Sequence, residues 1–126
     1  MPTSAKDLLA AARAAVPAIT PAEAKRLVDT ADALIVDVRD GTEVAASGKA
    51  KGAVAVSRGL LEFRADPDLP SHLPAFRKDR PIILYCASGG RSALAGKTLV
   101  DMGFTNVRNL GGFKDWVDAG GEVEPA

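Results

Sequence analysis

Two stretches of this chain are apolar at successive positions rather than at alternate ones: Leu34-Ile35-Val36-Asp37-Val38 and Pro81-Ile82-Ile83-Leu84-Tyr85. A strand of that kind has no face to give to water and must be covered on both sides. Ala53–Val56 is a shorter run of the same type, and Asn106–Leu110 reads as a last strand. Helical patterns alternate with them. Thr20-Pro21-Ala22-Glu23 combines an N-cap, a first-turn proline and a capping-box acid, opening a helix to about Asp29. Asp40–Ala46 reads as a short helix stopped by Ser47-Gly48. Arg91–Met102 reads as a longer one with Ala95, Leu99 and Met102 on one face and Gly103 as its C-cap. Gly111-Gly112 turns into a final helix carrying Phe113, Trp116 and Val117, which we read as core aromatics and their neighbour. The Ala-rich residues 5–15 suit an amphipathic helix, and residues 57–80, with Pro67, Pro70 and Pro74, a long, mostly irregular connection.

Buried strands interleaved with helices predict an α/β fold: a parallel central sheet with helices on both faces. In such sheets ligands gather outside the carboxyl ends of the strands. Three of those ends carry polar chemistry: Asp37 with Arg39, Ser57 with Arg58, and Cys86.

The totals exclude several function classes. Sixteen Lys and Arg balance sixteen Asp and Glu, which argues against a general nucleic-acid binder. No apolar run approaches the roughly 18–20 residues of a membrane span, and Arg13 interrupts the apolar stretch that begins at Leu8. A cytoplasmic protein without membrane or nucleic-acid partners is expected. One cysteine and one histidine preclude an internal disulfide and a multi-thiolate metal site. No metal and no cofactor are expected.

The lone thiol is then either an inert buried group or a nucleophile. Its surroundings decide. Cys86 ends the strongest strand, and Ala87-Ser88-Gly89-Gly90-Arg91-Ser92 leads from it into a helix. Two glycines let the backbone curl through positive φ, turning successive N–H groups inward as an anion-binding nest at a helix N-terminus. That field, with Arg91 added, should lower the thiol pKa. A cation in the first turn of a helix is itself disfavoured unless an anion is held there. No base is required, and His72, between Ser71 and Leu73 in the polar connection, reads as a solvated loop residue rather than the partner of a Cys–His hydrolase.

Tyr85-Cys86-Ala87-Ser88-Gly89-Gly90-Arg91-Ser92-Ala93-Leu94-Ala95, followed by Leu99, Met102-Gly103 and Asn106-Val107, resembles the active-site stretch of single-domain rhodaneses. Further landmarks stand in order: Asp37-Val38-Arg39, Gly52-Ala53, Arg58-Gly59 with Leu61-Glu62-Phe63, and Leu110-Gly111-Gly112-Phe113 leading to Trp116. The resemblance covers roughly residues 18–120 and implies one rhodanese-like domain over 1–126, with residues 1–17 as an N-terminal helical extension. It also implies sulfurtransferase activity from donors such as thiosulfate to a cyanide or thiol acceptor, a protein thiol included. Cys86 becomes the persulfide carrier, cradled by backbone amides from Ala87 to Ser92. The C-x4-R spacing from Cys86 to Arg91 is one residue shorter than the C-x5-R of phosphatases with the same fold, and suits a sulfur atom better than a phosphate. Two departures stand out. Gly48-Lys49-Ala50-Lys51-Gly52-Ala53 replaces a common Gly-His-Ile-Pro-Gly-Ala, which puts a local turn in question, and Val44 stands where an aromatic is frequent.

Arg58 reads equally as a surface charge or as a cation attracting the donor. Asp37 and Arg39 read as structural support, an ion pair or hydrogen bonds that draw in Glu43. Two rival functions stay open: a non-enzymatic sulfur carrier or regulatory module, and a small phosphatase or arsenate reductase.

Overall fold

The computed structural model describes residues 2–126. Four strands form a parallel sheet in the order β3-β1-β4-β5: β1 is Leu34–Asp37, β3 Val54–Ala55, β4 Ile82–Cys86 and β5 Val107–Gly112. Helices fill the connections: α1 (Ala5–Ala15), α2 (Pro21–Ala31), α3 (Gly41–Ser47), α4 (Leu61–Ala65), α5 (Gly90–Asp101) and α6 (Phe113–Asp118).

Strict alternation within the two central strands divides the core in two. Leu34, Val36, Ile82, Leu84 and Cys86 face one side, where they meet Val16, Leu61 and Ala65 of α4, and Ala95 and Leu99 of α5. Ile35, Ile83 and Tyr85 face the other, against Ala24 of α2 and Trp116 of α6. The sheet is thus covered on both faces, as the non-alternating runs predict. Cys86 lies on the side of α5, the helix that follows it.

The capping signal at Thr20 holds. Thr20 Oγ1 accepts from Glu23 N at 3.2 Å while Glu23 Oε1 accepts from Thr20 N at 3.0 Å. Helix α3 starts one residue after Asp40, whose side chain makes no cap hydrogen bond. The N-terminal segment also reaches the sheet. Asn109 N donates to Pro17 O at 2.9 Å and Ile19 N to Asn109 O at 3.0 Å, a parallel bridge centred on Ala18 alongside β5.

Four details differ from the sequence reading. The connection after Ser57 is not irregular throughout: a 3-10 turn (Arg58–Leu60) runs into α4, anchored by fully buried Leu61 and Ala65 one helical turn apart. A second sheet exists, β2 (Lys49–Ala50) antiparallel to β6 (Val123–Glu124). It absorbs the unusual 48–53 segment, because the Glu124 carboxylate accepts from Gly52 N at 3.0 Å and pairs with Lys49. Gly111-Gly112 belongs to β5 rather than to a turn, with Gly112 directly opposite Cys86. Finally, α5 begins at Gly90, one residue earlier than expected, and ends at Asp101.

Candidate functional site

Because all four strands of the main sheet are parallel, their carboxyl ends open on one edge. Cys86 sits there as the last residue of β4, 1% exposed. The chain then curls through Ala87 and Ser88 to Gly89, whose φ of +101° is open to glycine at little cost. The curl returns the Gly89 N–H to Cys86 Sγ at 3.0 Å. Ser92, fully buried in the first turn of α5, brings its hydroxyl to 3.5 Å from the same sulfur. Burial pushes the Cys86 thiol up. The Ser92 hydroxyl and the backbone N–H groups of Ser92, Gly89 and Ser88 oppose that more strongly, and the net result lies below the ordinary cysteine value.

The loop is held from β5. Gly112 lies so close beneath it that a Cβ there would stand 2.6 Å from the Ala87 carbonyl oxygen. The Asn109 side chain bridges the strand and the loop: Nδ2 donates to Gly89 O at 3.2 Å, while Oδ1 accepts from Gly111 N at 2.9 Å and from Ser92 Oγ at 2.8 Å. Sequence reasoning missed Asn109. Its only signal was a short polar side chain beside Leu110 in the last strand, next to Arg108.

Of the sequence candidates, Cys86, Ala87, Ser88, Gly89, Gly90 and Ser92 form one continuous cradle, with Gly90 packed beside Leu9 of α1. Arg91 is committed to α3 instead. Its guanidinium makes a bidentate pair with Glu43 of α3, Nη1 to Oε1 at 2.6 Å and Nη2 to Oε2 at 3.0 Å. Hydrogen bonding to Arg91 holds the Glu43 carboxyl at about 2, and the Arg91 guanidinium is raised in turn. The thiol's field is therefore built of amides and a hydroxyl, with Arg91 acting as a compensated charge one step back.

Arg58 is also engaged. Its Nη1 donates to Glu62 at 2.9 Å and its Nη2 to Thr98 Oγ1 at 2.9 Å, about two turns along α5 from the loop. It clamps α4 against α5.

Asp37 and Arg39 do form an ion pair, at 2.7 Å, and both are buried. Asp37 additionally accepts from the Tyr85 hydroxyl at 2.6 Å, and Arg39 donates to Ser47 Oγ and Gly48 O, each at 2.8 Å. The Arg39 guanidinium lies 4.3 Å over the Phe113 ring, which stacks on Tyr85. Glu43 is not part of this network, contrary to expectation. Its carboxylate caps the Asp40 N–H at 3.3 Å and is otherwise spent on Arg91. Half-buried Phe113 is thus the roof of an ion pair rather than a plain core aromatic. The His72 ring meets the Phe76 carbonyl at 3.3 Å, within its own loop. Among the described residues no helix is long and apolar enough to cross a membrane.

The chain is similar in sequence and fold to known proteins. A sulfurtransferase of Allochromatium vinosum is 37% identical over 97 residues, 76% of this chain and 82% of that protein. The solved polysulfide-sulfur transferase homodimer of Wolinella succinogenes superposes with a TM-score of 0.74 at 34% identity, covering 96% of this chain and 87% of that one. A Rhodopseudomonas palustris protein of unknown function, described as a possible tyrosine phosphatase, superposes at 0.86 with 41% identity over 98% of this chain and 99% of that one. Residues 20–119, from the cap of α2 to the end of α6, match the rhodanese-like domain as a whole, and the chain belongs to that family of sulfurtransferases.

Proposed function

We propose that Cys86 carries sulfane sulfur as a persulfide, taking it from a donor such as thiosulfate and passing it to a thiophilic acceptor. The single observation that carries this reading is the Cys86 sulfur, buried and in contact with the Gly89 N–H at 3.0 Å. The Cys86 thiolate attacks the outer sulfur of the donor. A new S–S bond forms, the donor's S–S bond breaks, and sulfite leaves with the bonding pair. The outer sulfur of the persulfide keeps the negative charge, where the loop amides of Ala87 to Ser92 stabilise it as preorganised donors. An acceptor such as cyanide, a small thiol or a protein thiol then takes the terminal sulfur and restores the thiolate. The two half-reactions make the kinetics ping-pong.

Arg91 contributes as the charged end of a pair with Glu43, free to exchange that partner for an anionic donor. Arg58 acts at most as a distant attraction, since Glu62 offsets it. Asp37 and Arg39 support the neighbouring loops. A polysulfide donor fits the same chemistry, and the Wolinella relative's description favours it. A thiol that must stay free suits a reducing compartment, and we place the chain in the cytoplasm on that ground.

The description of the Rhodopseudomonas protein favours a second reading, phosphate-ester hydrolysis. The C-x4-R loop, one residue shorter than the phosphatase pattern, counts against it. Mass spectrometry decides. Thiosulfate should add the mass of one sulfur to the wild type and none to Cys86→Ser, and cyanide should then release thiocyanate over many turnovers. A chain that loads once and stalls is a carrier; one that hydrolyses phosphate esters without taking up sulfur overturns the proposal.

A further inference from the structure

The Ser92 hydroxyl has one proton and two claimants. Cys86 Sγ lies 3.5 Å from its oxygen and Asn109 Oδ1 lies 2.8 Å away on the other side. The direction of the Asn109 amide is settled by its other contacts. Gly89 O can only accept, so it takes Nδ2–H at 3.2 Å. Gly111 N can only donate, so it takes Oδ1 at 2.9 Å. The carbonyl end therefore faces Ser92, and since Oδ1 only accepts, the short contact requires Ser92 to donate to it. In that arrangement Ser92 presents lone pairs to Cys86 and favours the protonated thiol. Rotation about the Cβ–Oγ bond moves the proton to Sγ and favours the thiolate, at the cost of the Asn109 hydrogen bond.

We propose that Asn109 is a positioning residue that competes with Cys86 for the Ser92 hydroxyl proton, so that full stabilisation of the thiolate requires that hydroxyl to turn from β5 to the sulfur. The inference deepens the sulfur-transfer reading and rests on Cys86 as its nucleophile. Its chemical sense follows from thiol exchange: a thiolate stabilised too strongly attacks poorly, and the best attacking thiol ionises near the working pH. The loop amides pull the ionisation of Cys86 down, the Ser92 hydroxyl adds to that pull when its proton faces the sulfur, and Asn109 holds that proton back. The other charged groups around the site are two ion pairs and two further carboxylates. They are Arg91 with Glu43 between α5 and α3, Asp37 with Arg39 at the end of β1, and Asp115 of α6, whose carboxylate accepts from Gly112 N at 3.3 Å. Asp40, at the N-cap of α3, adds a carboxylate on the Arg91 side.

The chain has one cysteine, so the rate of iodoacetamide labelling against pH reads Cys86 alone. The comparison is a double-mutant cycle on the full chain, Asn109→Ala with and without Ser92→Ala. Releasing the proton should lower the labelling midpoint by about 0.5–1 pH unit, the range of one neutral hydrogen bond. With Ser92→Ala already present, Asn109→Ala should move it by no more than about 0.3 unit, the level at which independent effects add. A shift that persists in the Ser92→Ala background, or an upward shift in its absence, overturns the proposal, because support of Gly89 O does not depend on the hydroxyl. Should Asn109→Ala fail to fold by circular dichroism, Asn109→Asp replaces it. Aspartate keeps the acceptor and grips the proton harder, so its upward shift must be larger with Ser92 than with Ser92→Ala, and equal shifts overturn the idea. Labelling needs no sulfur donor. A failed sulfur-loading assay beside an intact cycle would reject the proposed function and leave this inference standing.

Discussion

Gly112→Ala should damage the cysteine loop from beneath. The new Cβ would stand 2.6 Å from the Ala87 carbonyl oxygen and 3.2 Å from Asp115 Oδ2. Ordinary carbon-to-carbonyl contacts begin at roughly 3.3 Å, so the first of these falls short by about 0.7 Å. The clash is with backbone, not with the free end of a side chain, and β5 is pinned opposite Cys86, so the loop must give. Overpacking of this kind costs about 1–3 kcal/mol. For a chain of 126 residues that is a fall in Tm of about 3–6 °C per kcal/mol, between the values for smaller and larger domains. Ala87 opens the loop whose amides face the sulfur, so the same displacement misaims donors worth on the order of 100-fold each. Sulfur transfer should drop at least about tenfold even at temperatures where the variant is fully folded. The assay pairs a thermal melt with thiocyanate production from thiosulfate and cyanide. Gly59→Ala is the control, since its Cβ would meet nothing within 4 Å. A Gly112→Ala protein with the melting temperature and rate of the control would refute the argument that β5 sets the position of the loop.

Inserting one glycine between Gly89 and Gly90 should enlarge the cradle and cut sulfur transfer by at least ~100-fold; a folded insertion variant of near wild-type rate would show that loop length is not selective. Glu43→Gln tests the pair with Arg91. The carboxyl sits at about 2 when folded against about 4.3 unfolded, so its stabilisation is complete above that upper value and lost as pH falls towards 2. At face value the lowering amounts to about 3 kcal/mol, and for side chains about one-third exposed screening reduces it to roughly 1 kcal/mol. Urea melts of the two proteins should therefore differ at pH 7 and converge near pH 2, and a difference that persists there removes Glu43 ionisation as the cause. Arg58→Ala should raise the thiosulfate KM no more than about threefold at unchanged kcat, and only at low ionic strength. An unchanged KM in low salt leaves Arg58 as a clamp between α4 and α5 and nothing more.

What could be read in the sequence was whatever depended on neighbours along the chain. The runs at 34–38 and 81–85 identified the central strands because burial on both faces leaves no polar alternation to hide them. The Thr20–Glu23 capping box and the cysteine loop are both local devices. Interactions between distant segments were not legible. Glu43 and Arg91 are 48 residues apart, and nothing local says whether Glu43 will serve Arg39 or Arg91; the packing of α3 beside the loop decides it. The β2–β6 pair has two residues on each side, too few for any periodicity, and depends on a carboxylate that crosses 72 positions to reach Gly52. Helix α4 spans five residues, and only the burial of Leu61 and Ala65 distinguishes it from a loop rich in proline and charge. Asn109 gave a weak signal, because a polar residue in a strand announces a partner without naming it.

The bridge from residues 17–19 to Asn109 has a practical consequence for where this domain can be cut. It occupies the outer flank of β5, which would otherwise be a bare sheet edge with unpaired N–H and C=O groups. Such edges recruit further strands and seed aggregation. A chain trimmed to begin at residue 20, where the family match begins, would lose that cover together with Ala12 and Val16, both buried. It would expose apolar surface next to an open strand. The trimmed protein should then associate edge to edge through β5, the strand that steadies the cysteine loop, and self-association and loss of activity would arrive together.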